Sequence, residues 1–295
     1  MKIIVGTRKS HLPLLQSREV AQLLTNAGAE VEIRPLATIG DTLEAAIEDR
    51  GSSGIFTGEI DEALKNREID VAVHDVKDLG FELPDGVSIA AVPARVDPRE
   101  AFVSARSRKL SSLAKGARVG ITGRCRGVQL ARIRPDLELL TLHGDVEAKL
   151  RALSAGEIDA VIMAAAGPIR MGIQKTITEY LPVDKFVPQA GQGALAIEVR
   201  SDDRELLAFV RKACHHNASG LTVRAERGFV RALSGMQGVV LAANAEIKPS
   251  GFLLVGLVAS SDGSMFAVER ESGPLDEAGT IGKKLAEKMM KKIEM

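Results

Sequence analysis

Tryptophan is absent from this chain and tyrosine occurs once. A surface that stacks nucleic-acid bases is therefore a poor expectation. Charge of one sign is missing too. Lysine plus arginine and aspartate plus glutamate number 39 each, so there is no basic footprint for a polynucleotide and no acidic tail. The only two cysteines are Cys125 and Cys214. They make neither a disulfide framework nor a zinc pattern, so a reducing, cytoplasmic setting is expected and no metal. No run approaches the ~20 apolar residues of a membrane span, and the apolar start Met1 to Gly6 is too short for a signal peptide. These absences leave a protein without nucleic-acid or membrane partners. A local cluster of cations that holds a small polyanion is still open.

What is present is a chain of 295 residues, 45% of them apolar, enough for two or three cores at roughly 100–200 residues each. Strands alternate with helices. Lys2–Val5 reads as a strand, followed by the loop Gly6-Thr7-Arg8-Lys9-Ser10 and a helix from about Leu12 to Ala27, with Pro13 in its first turn and Gly28 past its end. Val31–Leu36 is a second strand, ending in Thr38-Ile39-Gly40-Asp41. Gly51-Ser52-Ser53-Gly54 reads as a flexible run. A helix from about Thr57 to Asn66 leads into Val71-Ala72-Val73, a short β-branched run suited to a strand buried on both faces. That run turns abruptly polar at His74-Asp75-Val76-Lys77-Asp78. In open α/β sheets, chemistry gathers at the carboxyl ends of such strands.

The blocks recur in order. Val119-Gly120-Ile121-Thr122 echoes Val5-Gly6-Thr7-Arg8, and Leu142-His143-Gly144-Asp145 echoes Thr38-Ile39-Gly40-Asp41. The stretch from Arg151 to Ala160 matches the stretch from Glu62 to Val71. Three ordered pairs predict two lobes of like α/β architecture. We expect one lobe from residues 1–95 and 189–213 and a second from 96–188, with a ligand cleft between them. Helix N-termini there favour anions. Arg8, Lys9, Lys77, Arg124, Arg126, Lys149 and Arg170 stand near the strand-to-helix junctions. Gly191, Gln192 and Gly193 read as a hinge. From residue 214 the pattern changes. A helix near Leu221–Leu233, strands Val239–Ile247, Phe252–Ala259 and Met265–Glu269, and a last helix from Leu275 to Ile293 predict a small α+β domain with a three-stranded antiparallel sheet.

Gly6-Thr7-Arg8-Lys9-Ser10, Ala72-Val73-His74 with Lys77-Asp78, the run Asp97 to Ser104, Arg134-Pro135-Asp136, Gly191-Gln192-Gly193-Ala194, and His215-His216 followed by Ala225-Glu226-Arg227 together resemble the hydroxymethylbilane synthase, or porphobilinogen deaminase, family. The resemblance runs nearly end to end. It implies two periplasmic-binding-protein-like lobes with mixed, mainly parallel sheets plus the small third domain, and a monomer. It also implies head-to-tail joining of porphobilinogen, a pyrrole bearing two carboxylates, with loss of ammonia, on a dipyrromethane cofactor fixed by a thioether. In that reading Asp78 is the catalytic carboxylate. Arg8, Ser10, Lys77, Arg126, Arg170, Lys149 and His143 bind carboxylates of the substrate or cofactor.

The chain departs from the family pattern at several of these positions. Gln237, in Leu233-Ser234-Gly235-Met236-Gln237-Gly238, stands where the family's cofactor cysteine is expected, and an amide cannot form the thioether. Cys125 occupies one of a pair of arginine positions, His143 and Lys149 replace arginines, and Asp75 replaces a serine. Cys125, Cys214 or non-covalent priming are the routes left for a primer. The alternative is a relative that binds a tetrapyrrole, a pyrrole or another small polycarboxylate without turning it over.

Overall fold

The computed structural model describes residues 1–38 and 57–293. The expectations at Ile39-Gly40-Asp41 and Gly51–Gly54 lie outside the described residues. The chain divides into two compact units, residues 1–96 with 193–224, and residues 97–192 with 225–295.

In the first unit the strands β1 (Lys2–Arg8), β2 (Glu30–Leu36), β3 (Val71–Asp75), β4 (Val87–Ala91) and, from far along the chain, β10 (Leu195–Arg200) form one sheet in the order β2-β1-β3-β10-β4. β1 runs parallel to β2 and β3, whereas β10 is antiparallel to β3 and β4. The sheet is mixed and mainly parallel. Alternation along β3 serves two cores. Val71 and Val73 pack with Val20, Leu24, Leu206 and Val210, under α1 (His11–Asn26) and α6 (Arg204–Cys214). Ala72 packs on the other side with Ile60 and Leu64 of α2 (Gly58–Lys65). A strand covered on both faces needs this unbroken apolar run.

In the second unit β5 (Glu100–Ser104), β6 (Arg118–Ile121), β7 (Glu138–Thr141), β8 (Ala160–Ala164) and β9 (Glu179–Leu181) repeat the plan in the order β7-β6-β8-β5-β9. Again three strands are parallel, and β5 runs against β8 and β9. The helices are α3 (Arg124–Ile133), α4 (Val146–Ser154) and the short α5 (Ala166–Arg170).

The expected repeat is visible bond by bond. After α2, Glu68 N–H donates to Ala63 O (2.9 Å), and Asp70 exchanges bonds with Ile4, its N–H to Ile4 O and its Oδ2 from Ile4 N–H, both 2.9 Å. After α4, Glu157 N–H donates to Ala152 O (3.1 Å), and Asp159 makes the same exchange with Arg118, both bonds 2.8 Å. Gly6 and Gly120 stand at matching places on β1 and β6. A Cβ on Gly6 would meet Ile69 Cδ1 at 2.3 Å, and one on Gly120 would meet Leu142 Cδ1 at 2.3 Å and Ile158 Cδ1 at 3.0 Å.

The third sheet, β11 (Val239–Lys248), β12 (Gly251–Ser260) and β13 (Phe266–Gly273), is antiparallel throughout. It follows α7 (Asn217–Ala232). Its inner residues Val240, Ala242, Val255, Leu257 and Ala259 pack with Cys125 and Val128 of α3 and with Val187. The last helix differs from its sequence expectation. Residues Leu275–Gly279 form a 3-10 turn, and α8 begins only at Ile281 (Ile281–Ile293). Thr280, with φ −117°, breaks the spiral between them. The apolar spacing is helical across the whole stretch, but periodicity does not register a one-residue break.

Candidate functional site

β3 ends at Asp75, and the next three residues, Val76–Asp78, make one 3-10 turn. The parallel register pairs Val5 with Val71 and Gly6 with Ala72. Carried forward three residues, it sets Arg8, the last residue of β1, level with His74. Arg8, Asp75, Lys77 and Asp78 therefore gather at the carboxyl edge of one sheet, where the strand pattern predicts chemistry. Ser10 immediately precedes α1 in extended conformation, and its hydroxyl makes no capping bond to that helix. Asp78 is half-buried. Burial pushes its carboxyl up to about 6, with Asp75 adding to the rise and the charges of Lys77 and Arg8 opposing it. Such a group changes charge close to neutrality, as acid–base work requires.

A second titratable group sits in the core of the same unit, and no single motif marks it in the sequence. His74 Nε2 lies 3.6 Å from Glu198 on β10 and 3.9 Å from Asp61 on α2. All three are buried. Burial holds the imidazole down at about 4, and burial raises the Asp61 carboxyl, which shares a hydrogen bond with Glu198. The three ligand atoms lie within 4.8 Å of one another, a donor set that could hold a divalent cation. A proton kept on the carboxyl pair balances charge equally well. The available signal was polar residues at core positions: Glu198 inside Leu-Ala-Ile-Glu-Val-Arg, and Asp61 on the apolar face of its helix.

In the second unit the predicted cations are spread along the matching junctions. Arg126, on α3, is 6% exposed. Its Nε pairs with Glu100 at 3.0 Å, one terminal nitrogen donates to Thr122 O at 2.8 Å, and the other donates to Gln192 Oε1 at 3.2 Å. Glu100 thus already fills the place of a ligand carboxylate. Arg124 is exposed at the start of the same helix, and His143 is exposed in the loop after β7. Lys149 and Arg170 are half-buried, on α4 and at the end of α5.

The residues expected to act as a hinge are bonded within their own units. Gly191 and Gly193 have φ of +80° and +83°, conformations that glycine adopts at no steric cost. Gln192 is fully buried and donates to Pro98 O at 2.9 Å. Glu226, quoted in a motif above but given no role there, is fully buried on α7 and accepts from Gly191 N–H at 2.6 Å and from Ala245 N–H at 2.7 Å.

Two family models match this chain. One, described as porphobilinogen deaminase, dipyromethane cofactor binding domain, covers residues 3–208. The other, the porphobilinogen deaminase C-terminal domain, covers residues 220–291. Among curated proteins, the porphobilinogen deaminase of Geobacter sulfurreducens is 39% identical, over 98% of this chain and 91% of its own length. That of Pelobacter propionicus is 40% identical, over 97% of this chain and 93% of its own length. The chain belongs to the porphobilinogen deaminase family. Solved structures give a looser likeness: a periplasmic substrate-binding protein from Coxiella burnetii has a TM-score of 0.44 at 14% identity, covering 76% of this chain and 96% of that one.

Porphobilinogen deaminase membership raises the question of the dipyrromethane. Gln237 lies exposed in the loop between α7 and β11 and has no thiol to offer. The two cysteines do not substitute. Cys125 is buried, its thiol pushed up to about 12 by burial and by Glu100, and Gln129 donates to its Sγ at 3.4 Å. Cys214 is buried and pushed up to about 12 by burial alone. The thiolate is the nucleophile, and neither sulfur supplies it near neutral pH. The arginine, lysine and serine at the strand ends suit the carboxylates of such a group, but the residues present do not fit its covalent attachment.

Proposed function

We propose that this chain condenses porphobilinogen head to tail into a linear tetrapyrrole with release of ammonia, and that it does so without a thioether-bound primer. The observation that carries the proposal is Asp78. It sits in a one-turn 3-10 helix at the carboxyl edge of a mixed sheet, between cations, with its carboxyl brought near neutrality.

In each condensation the aminomethyl carbon of one pyrrole loses its nitrogen as ammonia and forms a carbon–carbon bond to the next ring, which gives up a ring proton. Positive charge builds on the pyrrole as the C–N bond breaks. The Asp78 carboxylate stabilises that charge by accepting from the ring N–H, and it takes part in moving the ring proton. Arg8 and Lys77 hold the acetate and propionate groups, with Ser10 and the N-terminal end of α1 beside them. His143, Lys149 and Arg170 serve further carboxylates in the second unit. A carboxylate reaches Arg126 only by displacing Glu100. Gly191, Gln192 and Gly193 supply the backbone freedom for rearrangement as the product lengthens.

The test is incubation of the pure protein with porphobilinogen, with and without added preformed linear primer, followed by acid, oxidation and a reading of uroporphyrin. The proposal expects product in the presence of primer and an intact mass equal to the bare chain. Absence of product from folded protein under both conditions overturns it. A protein that gains thermal stability with pyrrole dicarboxylates but makes no product is the binding relative instead.

A further inference from the structure

The internal repeat supplies a comparison for the buried triad Asp61, His74 and Glu198. The matched stretches 62–71 and 151–160, extended along the chain, set Asp61 against Leu150 and His74 against Met163. The strand registers place the third member. Glu198 pairs with Ala72 on β3, and Val103 pairs with Val161 on β8, so Glu198 answers to Val103. In the second unit Val103, Leu150 and Met163 share one apolar cluster. The fold therefore accepts a wholly apolar filling at this place. The first unit instead puts an imidazole and two carboxyls there, with His74 5%, Asp61 4% and Glu198 0% exposed. Burial of such groups is costly unless something satisfies them. His74 Nε2 stands 3.6 Å from Glu198 Oε2 and 3.9 Å from Asp61 Oδ1. Both distances are too long for a hydrogen bond, and this nitrogen makes none among the described residues. A proton shared between Asp61 and Glu198 satisfies the carboxyls and leaves the nitrogen with nothing to bind.

We propose that Asp61, His74 and Glu198 form a structural site for a divalent transition ion of the zinc class, which ties α2, β3 and β10 together. Such an ion satisfies all three groups at once. Tetrahedral bonds of about 2.0–2.2 Å to nitrogen and oxygen separate the ligand atoms by roughly 3.3–3.6 Å. A shift of a few tenths of an ångström closes the observed spacing onto that geometry. The ion displaces the proton held between the carboxyls, and water completes four-coordination. Two carboxylates, a neutral imidazole and a dication sum to zero charge, which a buried site requires. A single imidazole with two carboxylates is a mixed nitrogen and oxygen set, suited to zinc or manganese. The ion pins β10, which returns to the sheet only after the strands of the second unit, to β3 beside it and to α2 above. The proposal does not depend on turnover of porphobilinogen.

The experiment counts and identifies the ion. The full-length protein, free of any affinity tag, is produced in medium supplemented with Zn²⁺ and desalted. Plasma mass spectrometry counts its metal, and zinc-edge X-ray absorption reads the ligands. Wild type carries about one zinc per chain, with nitrogen and oxygen neighbours, one imidazole and no sulfur. The combined variant Asp61→Leu, His74→Met, Glu198→Val installs the second unit's own apolar set. Its zinc content falls at least about tenfold while its circular dichroism matches wild type. Zinc-loaded wild type melts at a higher temperature than wild type produced with a chelator in the medium, and the variant melts alike from both media. Less than about half an ion per chain in folded wild type overturns the proposal. So does zinc that the folded variant retains, or zinc bound through sulfur or through more than one imidazole. If the variant does not fold, the metal count and the absorption spectrum of wild type decide alone.

Discussion

The first and second sheets share a strand order, a mixed direction pattern and an aspartate just ahead of the third strand, Asp70 and Asp159, yet their strand ends serve different ends. At the edge of the first sheet, the turn after β3 presents Asp78 among Asp75, Lys77 and Arg8 in a half-buried setting. At a junction of the second, the one that corresponds to the end of β1, the helix after β6 turns Arg126 inward onto Glu100, and both are buried. The same backbone plan therefore supports a titrating carboxyl in one case and a sealed ion pair in the other. Surroundings decide which. A charge that keeps contact with water can change protonation state. A buried one must be matched by a partner, and it then acts as a strut.

Five substitutions would break or sharpen that contrast. The largest effect is on chemistry. Asp78→Asn lowers the rate of product formation about 100- to 10,000-fold while the chain stays folded, as circular dichroism checks. Next, Glu100→Gln leaves the Arg126 charge buried and uncompensated and costs about 3–5 kcal/mol in urea unfolding, a penalty that Asp78→Asn does not incur. Third, Gly120→Ala drives a methyl group into Leu142 and Ile158 and costs about 1–3 kcal/mol. Gly6→Ala costs less, because its Cβ meets Ile69 alone. The smallest effect lies in the repeated turn. Arg67 holds φ +61° where the second copy has Gly156 at +73°. Arg67→Gly relieves about 1 kcal/mol of left-handed strain, offset in part by loss of an exposed 2.9 Å pair with Asp202, and the net gain is read as a small rise in Tm.

Acid unfolding separates the two titrating groups of the first unit. Asp78 is raised from 3.8 to about 6, so its contribution to stability is present at low pH and lost as pH rises through about 6. His74 is lowered from 6.5 to about 4, so its contribution is present above pH 6.5 and lost as pH falls through about 4. The slopes oppose each other in wild type. Asp78→Asn removes the first, and its stability therefore rises with pH between about 4 and 6.5 more steeply than that of wild type, as urea midpoints at several pH values will record.

Most of the architecture was legible because it rests on short-range rules. The apolar run Val71–Val73, the glycine past α1 and the matched stretches 62–71 and 151–160 each state a local geometry that the structure keeps. The place of Asp78 at a sheet edge was legible because it follows a core strand within a few residues. The triad of Asp61, His74 and Glu198 was not, since its members come from three elements and meet only through the antiparallel insertion of β10, more than 100 residues after β3. The Glu100–Arg126 pair hid for a similar reason. Arg126 reads as a surface cation until the partner from β5 is known. Gln237 could be read as a missing thiol from the sequence alone, but the burial of Cys125 and Cys214 is a property of the fold and not of the local sequence.

That burial reaches into handling at the bench. With both sulfhydryls interior and protonated, the native molecule offers no exposed thiol to alkylating reagents. It needs no reductant in storage, and any label it accepts from iodoacetamide reports that the chain has opened.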